Sequence, residues 1–448
     1  MSEQLRPNIL YLHSHDTGRY IQPYGYGLRS PHLQRLAEDA VTFRRAYSAA
    51  PTCSPSRAGL LTGQCTHSSG MLGLAHRGFR LHDPSQHLAT TLRDAGYRTV
   101  LAGAQHVTAG DPRELGYTKV HDEAHERTPA TIAAAVATIR EAARDWGQPF
   151  FLDVGFFETH RPFPAAPADA GRYLAPPAPL PDTPRTRQDM ADYQQMLTDF
   201  DNASGEILGA LEEFGLAENT LVIVTTDHGV AFPMMKSNLT DHGVGVMLIM
   251  RGPGGFIGGK VNDALVSQID LYPTICELAG IERPHWLQGH SLLPLMRGEA
   301  RAIRDEVFAE VTYHAAYEPQ RMIRTERYAL IQRFGEGRSP VLANIDESPS
   351  RDVLLEAGLA EVELPKIALY DTFFDPHQRV NLAESTNYRE VRDDLLSRLD
   401  RWMRDTDDPL LRGDVPPPPG ARVNVPDARS ASETPWVADD RSELRPPT

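Results

Sequence analysis

Short apolar runs separated by stretches of helical periodicity constrain the fold of this chain more than any other feature. Each run has the length of a buried strand, and the apolar residues between the runs recur with the spacing of an amphipathic helix. Strands that alternate with helices predict an α/β fold, in which a large, mostly parallel sheet is sandwiched by helices. The predicted strands are residues 8–12, 99–103, 150–157, 221–226 and 246–250. The predicted helices between them are residues 31–38, 85–95, 129–146 and 189–214.

Polar side chains that can bind a metal or move a proton follow four of these predicted strands. In an open parallel sheet, ligands bind beyond the carboxyl ends of the strands, so these side chains are expected at one edge of the sheet. One buried histidine on a strand is usually structural, but four such strand ends together indicate a shared pocket. The residues concerned are His15, Asp16, His106, His160, Asp227 and His228.

The sequence changes character after about residue 300. Short predicted strands follow one another there, with one further strand and a final helix after an irregular stretch, which predicts a smaller C-terminal α+β subdomain with an antiparallel sheet. The strands are residues 307–314, 321–324, 328–332 and 368–371, the irregular stretch is 335–366 and the helix is 388–405. The predicted domains are therefore a large N-terminal domain (1–300), this subdomain (301–412) and a proline-rich tail (413–448) that wraps the surface or is disordered.

Cys53 begins a short run in which a proline follows at position 55 and an arginine at position 57, ahead of an apolar helix-forming stretch. This arrangement places the cysteine at a helix N-terminus, where free amides and the helix dipole favour an anion. Arg57 adds a fixed, planar cation suited to a tetrahedral oxyanion. The alternative is a packed structural thiol, which is the usual state of a free cysteine. The spacing favours a functional cysteine, whereas Cys65 and Cys276 are interpreted as packed thiols.

Composition excludes several classes of partner. The formal net charge of −15 argues against nucleic acid and anionic membranes as partners. No apolar stretch approaches the length of a membrane span, and the N-terminal residues lack a secretory apolar segment. Three cysteines do not form a disulfide framework, so the protein is predicted to be cytoplasmic. The sequence gives no prediction of the oligomeric state.

At Cys53, the Cys-x-Pro-Ser-Arg signature resembles that of the type I sulfatases, in the alkaline phosphatase superfamily, whose cysteine is converted to formylglycine. The resemblance implies an alkaline-phosphatase-like fold, and it extends from Arg6 to about Asn381. Segments at 70–74 and 310–312 look most like the heparan N-sulfatase (sulfamidase) subgroup. By resemblance, the metal ligands are Asp16, Asp227, His228 and the converted Cys53, and the other catalytic residues are Arg57, His106, His160 and Lys236.

The resemblance also implies a reaction. A hydrated aldehyde at position 53, activated by a divalent metal, attacks the sulfur of a sulfate ester or N-sulfate of a small molecule or sugar. Arg57 and Lys236 stabilise the sulfuryl oxygens, and His160 and Lys236 protonate the leaving group. His106 then takes a proton so that the aldehyde reforms and sulfate leaves. A formylglycine-generating maturation enzyme is the implied partner protein.

Two positions depart from the family pattern. Ala104 stands where the family has a lysine, so one cation is missing, and His15 stands where the family has a metal-binding aspartate. Either His15 turns away and calcium is retained, as the family implies, or the imidazole selects manganese, zinc or iron. Three further residues fall in segments that could border the pocket and are candidate substrate contacts: His76, Arg77 and His314.

Two alternatives remain open at the level of the sequence. The first is a phosphonate monoester or phosphodiester hydrolase on the same scaffold, which also uses a Cys-x-Pro-x-Arg nucleophile. The sequence does not separate it from a sulfatase, because sulfate and phosphate oxygens present similar charge to Arg57 and a metal. A non-catalytic relative that binds a sulfated ligand would explain Ala104 and His15, but it would not explain why so many catalytic residues are retained.

Overall fold

A computed structural model describes residues 6–122, 128–145 and 147–439. The strands among these residues are β1 (Asn8–Ser14), β2 (Val41–Phe43), β3 (Ala46–Tyr47), β4 (Arg98–Gly103), β5 (Lys119–His121), β6 (Phe150–Gly155), β7 (Thr220–Thr226), β8 (Gly245–Val246), β9 (Leu248–Arg251), β10 (Lys260–Asn262), β11 (Val266–Ser267), β12 (Glu306–Tyr313), β13 (Tyr317–Thr325), β14 (Tyr328–Arg333), β15 (Ile367–Asp371), β16 (Arg422–Val423) and β17 (Trp436–Val437). The helices are α1 (Pro31–Asp39), α2 (Cys53–Thr62), α3 (Thr66–Ser69), α4 (Leu88–Asp94), α5 (Thr128–Asp145), α6 (Pro184–Glu213), α7 (Asp241–Val244), α8 (Leu271–Ala279), α9 (Leu293–Met296), α10 (Pro349–Glu356) and α11 (Arg389–Asp405). Short 3₁₀ turns connect several of them.

The largest sheet has eight strands in the order β10-β2-β9-β7-β1-β6-β4-β5. Strand β1 lies near its centre and runs parallel to both β6 and β7, and β4 and β5 continue the parallel part. Beyond β7, the strand β9 is antiparallel to both of its neighbours. The predicted mostly parallel sheet is confirmed. Among the described residues, no helix combines the length and the apolar composition of a membrane span.

Both faces of the sheet are buried, which explains why its strands read as continuous apolar runs. Ile9 on β1 belongs to one core cluster, and the next residue, Leu10, belongs to the other. Helix α2 contributes Leu60 to the first cluster, and α6 contributes Phe200 to the second. The helices therefore lie on both sides, as the alternation of strands and helices predicts.

The carboxyl ends of the central strands are level with one another. His13 on β1 pairs with Gly155 on β6 and with Thr225 on β7, and Gly103 at the end of β4 also pairs with Gly155. The segments that follow β1, β4, β6 and β7 therefore leave the sheet at the same edge. This register places the predicted polar residues in one region.

Three predicted elements have different bounds in the structure. The apolar run 246–250 divides into β8, which joins a small separate sheet, and β9, because the Met247 amide donates to the Gly18 carbonyl between them. The predicted helix 85–95 shortens to α4, because His87 adopts an extended conformation and its Nδ1 accepts the Ala89 amide as a cap. Helix α6 instead begins earlier than predicted, at a Thr183 capping box. The end of the predicted helix 129–146 at Trp146 lies outside the described residues.

The C-terminal subdomain contains the predicted antiparallel sheet, in the order β12-β13-β14-β15, with α11 packed against it. Helix α10 occupies part of the stretch that was predicted to be irregular. The described part of the tail wraps the molecule and buries small apolar side chains, among them Val415 and Val423, in the main core. Residues 440–448 lie outside the described residues, and the predicted domain boundaries stay predictions.

A buried group of charges joins the N-terminal part to this subdomain. The His67 Nδ1 lies 2.9 Å from a Glu310 oxygen, Arg321 lies 3.2 Å from the other Glu310 oxygen, and Arg321 also pairs with Asp408 at 2.5 Å. Burial lowers the pKa of His67, but the Glu310 carboxylate and the neighbouring Cys65 outweigh it and hold that pKa well above its ordinary value. With His67 protonated, the two positive and two negative charges balance. We call these four residues the His67 ionic cluster.

Candidate active site

Cys53 is the first residue of α2, and its side chain is buried at the edge of the sheet. The Ser56 hydroxyl one turn away donates to the Asp227 carbonyl at 2.5 Å, which fixes the start of the helix against the end of β7. Burial raises the pKa of the Cys53 thiol well above its ordinary value, although Lys236 opposes this. A thiol in this environment stays neutral and is a poor nucleophile, so the unmodified cysteine does not suit direct attack.

Four side chains converge around Cys53 in a way that suits a metal ion. The ligand atoms of Asp16, Cys53, Asp227 and His228 all lie within 4.8 Å of one another, and all four residues are buried. Asp16 Oδ1 has no hydrogen-bond partner among the described residues, although it is fully buried. His228 Nδ1 donates to the Gly229 carbonyl at 2.9 Å, so Nε2 presents its lone pair 3.3 Å from Asp16 Oδ1. An unpartnered carboxylate oxygen and an oriented imidazole fit a divalent cation.

Arg57 and Lys236 supply the positive charge of the site. Arg57 donates to His13 Nδ1 at 2.5 Å, to the Ser14 carbonyl at 2.9 Å and to Asp227 Oδ2 at 3.1 Å. These bonds make the guanidinium a rigid part of the site. Lys236 Nζ donates to Asp16 Oδ2 at 2.8 Å, and it lies 3.4 Å from His160 Nε2. Lys236 is also buried, and it lies beside a second group that can transfer a proton.

Neither Ala104 nor the neighbouring Gln105 supplies the cation of the lysine that is missing at position 104. Ala104 is buried, and Gln105 turns back on its own loop, where its oxygen accepts the Val107 amide and its nitrogen donates to the Thr108 carbonyl. The described part of the site therefore has one cation fewer than the family pattern provides. His15 in place of an aspartate also removes one negative charge, which partly offsets the loss of this cation.

His15 lies outside the ligand group that contains Asp16. Its Nδ1 is 2.7 Å from the Phe156 carbonyl and its Nε2 is 3.1 Å from His106 Nδ1. Of the two outcomes that the sequence left open, the structure places His15 turned away from the candidate metal site. Burial lowers the pKa of His106 to about 3, and it lowers that of His15 well below its ordinary value, so both imidazoles are neutral near pH 7.

The three candidate substrate contacts differ in their surroundings. Arg77 donates to Asn424 Oδ1 at 2.7 Å and to the Ala431 carbonyl at 3.2 Å, so its guanidinium holds the C-terminal tail. His314 is buried near Lys236 and has no partner for Nδ1 among the described residues. His76 is half-buried, and the charges near it include Lys236 and His160. The roles of His76, Arg77 and His314 in substrate binding stay predictions.

Sequence analysis missed Asp346. Its carboxylate lies 3.1 Å from Lys236 Nζ, and Lys236 holds the pKa of Asp346 below its ordinary range against the effect of burial. Asp346 precedes α10, in the stretch predicted to be irregular, and follows no strand of the large sheet. No local pattern therefore marks it, and only the packing of the C-terminal subdomain brings it to the site.

The family model for sulfatases matches residues 7–281, more than half of the chain, and the model for the C-terminal region of N-sulphoglucosamine sulphohydrolases matches residues 234–353. The chain belongs to the sulfatase family. The family consists of sulfuric ester hydrolases, so the predicted family and enzyme class are confirmed. The second match agrees with the predicted resemblance to the heparan N-sulfatase subgroup.

Individual relatives cover most of this sulfatase. The human N-sulphoglucosamine sulphohydrolase is 28% identical over 90% of this chain and 91% of its own length. An ulvan-active sulfatase of Formosa agariphila is 27% identical over 89% of this chain and 80% of its own. Among solved structures, one in complex with its substrate D-glucosamine-2-N,6-O-disulfate superposes with a TM-score of 0.72 at 19% identity, over 90% of this chain and 98% of the other. The phosphonate monoester hydrolase of Agrobacterium radiobacter gives 0.67 at 22% identity, over 90% and 96%.

Proposed function

We propose that this sulfatase hydrolyses a sulfate ester or an N-sulfate on a sugar, with residue 53 as the nucleophile after conversion of Cys53 to formylglycine. The observation that carries the proposal is the convergence of a helix-terminal cysteine with Asp16, Asp227 and His228 around one buried point. The similarity to enzymes named for N-sulphoglucosamine and ulvan supports a sulfated sugar as substrate.

Side chains of this protein account for binding of the sulfuryl group and for proton transfer. Arg57, fixed by three hydrogen bonds, orients Asp227 and adds a permanent charge beneath the sulfuryl oxygens. Lys236 and His160 lie together and supply the proton for the departing alcohol or amine. His106 accepts a proton from the nucleophilic residue in the second step. A formylglycine-generating enzyme is then the required partner.

We propose a divalent cation held by Asp16, Asp227 and His228. When bound, it would withdraw charge from the sulfuryl group and lower the pKa of a bound hydroxyl. With His15 turned away, calcium is the ion that the family resemblance implies, and the imidazole of His228 makes manganese, iron and zinc the alternatives.

The metal proposal predicts the behaviour of an Asp227→Asn variant. The substitution removes a negative charge that binds both the metal cation and Arg57, so the metal content is expected to fall by about tenfold or more. Elemental analysis of the dialysed protein measures this and identifies the metal of the wild type. Asp263→Asn, at an exposed pair with Arg44, is the matched control and should retain full content. Unchanged metal in Asp227→Asn would contradict the assignment.

The function predicts two results for protein from its native host. The peptide carrying Cys53 should have lost sulfur and gained oxygen, and the enzyme should hydrolyse glucosamine N-sulfate or an aryl sulfate. The same aryl group carried by a phosphonate monoester or a phosphodiester tests the alternative hydrolase. We expect kcat/KM for the best sulfated substrate to exceed that for either phosphorus ester by about tenfold or more, equivalent to roughly 1.4 kcal/mol.

Other outcomes would assign a different function. A converted Cys53 with faster phosphonate turnover would make the protein a phosphonate monoester hydrolase, which also handles a singly charged group. An unmodified thiol with no turnover, but with measurable binding of the sulfated sugar, would make it a non-catalytic relative. A cytoplasmic location remains part of the proposal, and fractionation of the native host tests it.

A further inference from the structure

His15 occupies a position that the family uses for a metal-binding aspartate, yet its imidazole is bound elsewhere. The ring is fully buried, and both of its nitrogens have partners. Nδ1 lies 2.7 Å from the Phe156 carbonyl oxygen, at the end of β6, and Nε2 lies 3.1 Å from His106 Nδ1, after β4. His15 therefore connects the ends of two neighbouring strands.

The chemistry of these partners determines where the protons lie. A carbonyl oxygen only accepts hydrogen bonds, so His15 Nδ1 must carry a hydrogen and donate it to Phe156. The His15 ring is buried against a carbonyl and a second imidazole, and neither partner is a counter-charge, so the ring is neutral with one hydrogen and its Nε2 is an acceptor. His106 Nδ1 must then donate to His15 Nε2. The remaining nitrogen of His106, Nε2, is left with a free lone pair.

The packing holds the His106 ring in one orientation. Its ring meets the His15 ring edge to face, with centroids 4.6 Å apart and an interplanar angle of 71°. The Phe157 ring lies 6.3 Å away at 74°. His106 itself has a φ of 56°, a left-handed conformation that turns its side chain from the end of β4 toward this cluster. Ring rotation would break the hydrogen bond to His15.

We propose that His15 is a positioning residue that fixes the tautomer of His106, so that His106 Nε2 is available as a base. The inference rests on the proposed function for the role of that base. His15 then orients His106, whereas the family aspartate at this position binds the metal. The cation is held by Asp16, Asp227 and His228. The Phe156 carbonyl orients His15, and His15 in turn orients His106. This chain plays the part of the carboxylate that fixes the histidine in a catalytic triad.

Two substitutions separate orientation from packing. His15→Phe keeps an aromatic ring but removes both nitrogens, and His15→Gln keeps a side-chain oxygen that can accept the His106 hydrogen. We expect kcat to fall by about 10- to 100-fold in His15→Phe with KM nearly unchanged, as for the loss of other orienting partners. His15→Gln is expected to regain most of that loss. Metal content should stay at the wild-type level in both variants.

A tautomer measurement tests the inference without relying on activity. In protein labelled with ¹⁵N-histidine, the His106 signals, assigned through their loss in His106→Gln, should show a protonated Nδ1 and an unprotonated Nε2. In His15→Phe, this pattern should change. A hydrogen on His106 Nε2 in the wild type would overturn the inference, and so would loss of metal from His15→Phe, which would make His15 a ligand. If the tautomer is found but no sulfated substrate turns over, the proposed function fails and the orienting role of His15 stands.

Discussion

Replacing Cys53 by serine is expected to change a catalyst into a protein that reacts once. Serine provides a hydroxyl at the helix N-terminus, so its oxygen can bond to sulfur while the bond from sulfur to the leaving group breaks. Lys236 or His160 gives the leaving group a proton, and the proton that serine loses restores this donor. The sulfated serine lacks the second hydroxyl from which His106 would remove a proton. Sulfate therefore cannot leave by elimination, and the adduct persists.

We expect steady-state turnover of Cys53→Ser to fall by about 10³-fold or more, which is the scale on which loss of a nucleophile acts. Rapid mixing with an aryl sulfate should show a burst of at most one equivalent of product. The mass of the peptide should show an intact serine before the burst and a sulfated serine after it. Cys53→Ala is the matched control and should give neither the burst nor the adduct. Sustained turnover of the serine variant within tenfold of wild type would contradict the mechanism.

Replacing Glu310 by glutamine keeps the shape of the side chain but removes its charge. Among single substitutions of this kind at buried positions, it is expected to lower the free energy of unfolding the most. In the His67 ionic cluster, Glu310 is fully buried and contacts both His67 and Arg321. Removing its charge leaves two buried cations that share Asp408 alone. Breaking a buried pair in this way costs about 3–5 kcal/mol. With an unfolding entropy of roughly 2.1 cal/mol/K per residue, the midpoint of thermal unfolding should fall by about 3–5 °C.

The effect of Glu310→Gln should depend on pH in a defined window. His67 and Arg321 hold the pKa of Glu310 below its ordinary value despite burial, so its contribution is present above about pH 4.5 and is lost as the pH falls through the lower folded pKa. The pKa of His67 is raised despite burial, so its contribution is fully present below about pH 6.5 and is lost as the pH rises through the higher folded pKa. The difference in the free energy of unfolding between Glu310→Gln and wild type should be largest between about pH 4.5 and pH 6.5 and should shrink at alkaline pH.

Scanning calorimetry across this range measures the difference. Glu326→Gln is the matched control, because Glu326 pairs with Arg45 at 3.3 Å but is 83% exposed, and exposed pairs contribute about 0–1 kcal/mol. Its unfolding midpoint should stay within about 1 °C of wild type. If Glu310→Gln moved the midpoint no further than this control, the cluster would not stabilise the junction between the N-terminal part and the C-terminal sheet.

Much of the fold follows from local patterns that a sequence displays directly. The buried strands β1, β4, β6 and β7 are apolar on both faces, so their runs are continuous and their ends are clear. Because parallel strands present their carboxyl ends at one edge, the sequence also predicts where the polar residues meet. The family signature around Cys53 then predicts the start of α2.

Other features of the structure depend on contacts that the local pattern does not show. The run 246–250 is uniformly apolar, yet it divides because Met247 bonds to the Gly18 backbone. Arg77 binds Asn424 of the C-terminal tail, a contact that no local pattern indicates, and its role as a substrate contact stays a prediction. In both cases, the partner lies far away in the sequence and has no periodic relation to the residue that it binds.

The sequence by itself determined the family, the parallel sheet and the set of residues that lie at its carboxyl edge, because strand length, apolar periodicity and motif spacing are local properties. Only the tertiary structure decided what those residues do to one another. It paired His15 with His106 rather than with the candidate metal site, and it brought Asp346 from the C-terminal subdomain to Lys236. Hydrogen-bond geometry and burial depend on distances between residues remote in sequence, and these distances are fixed only when the helices pack on the sheet.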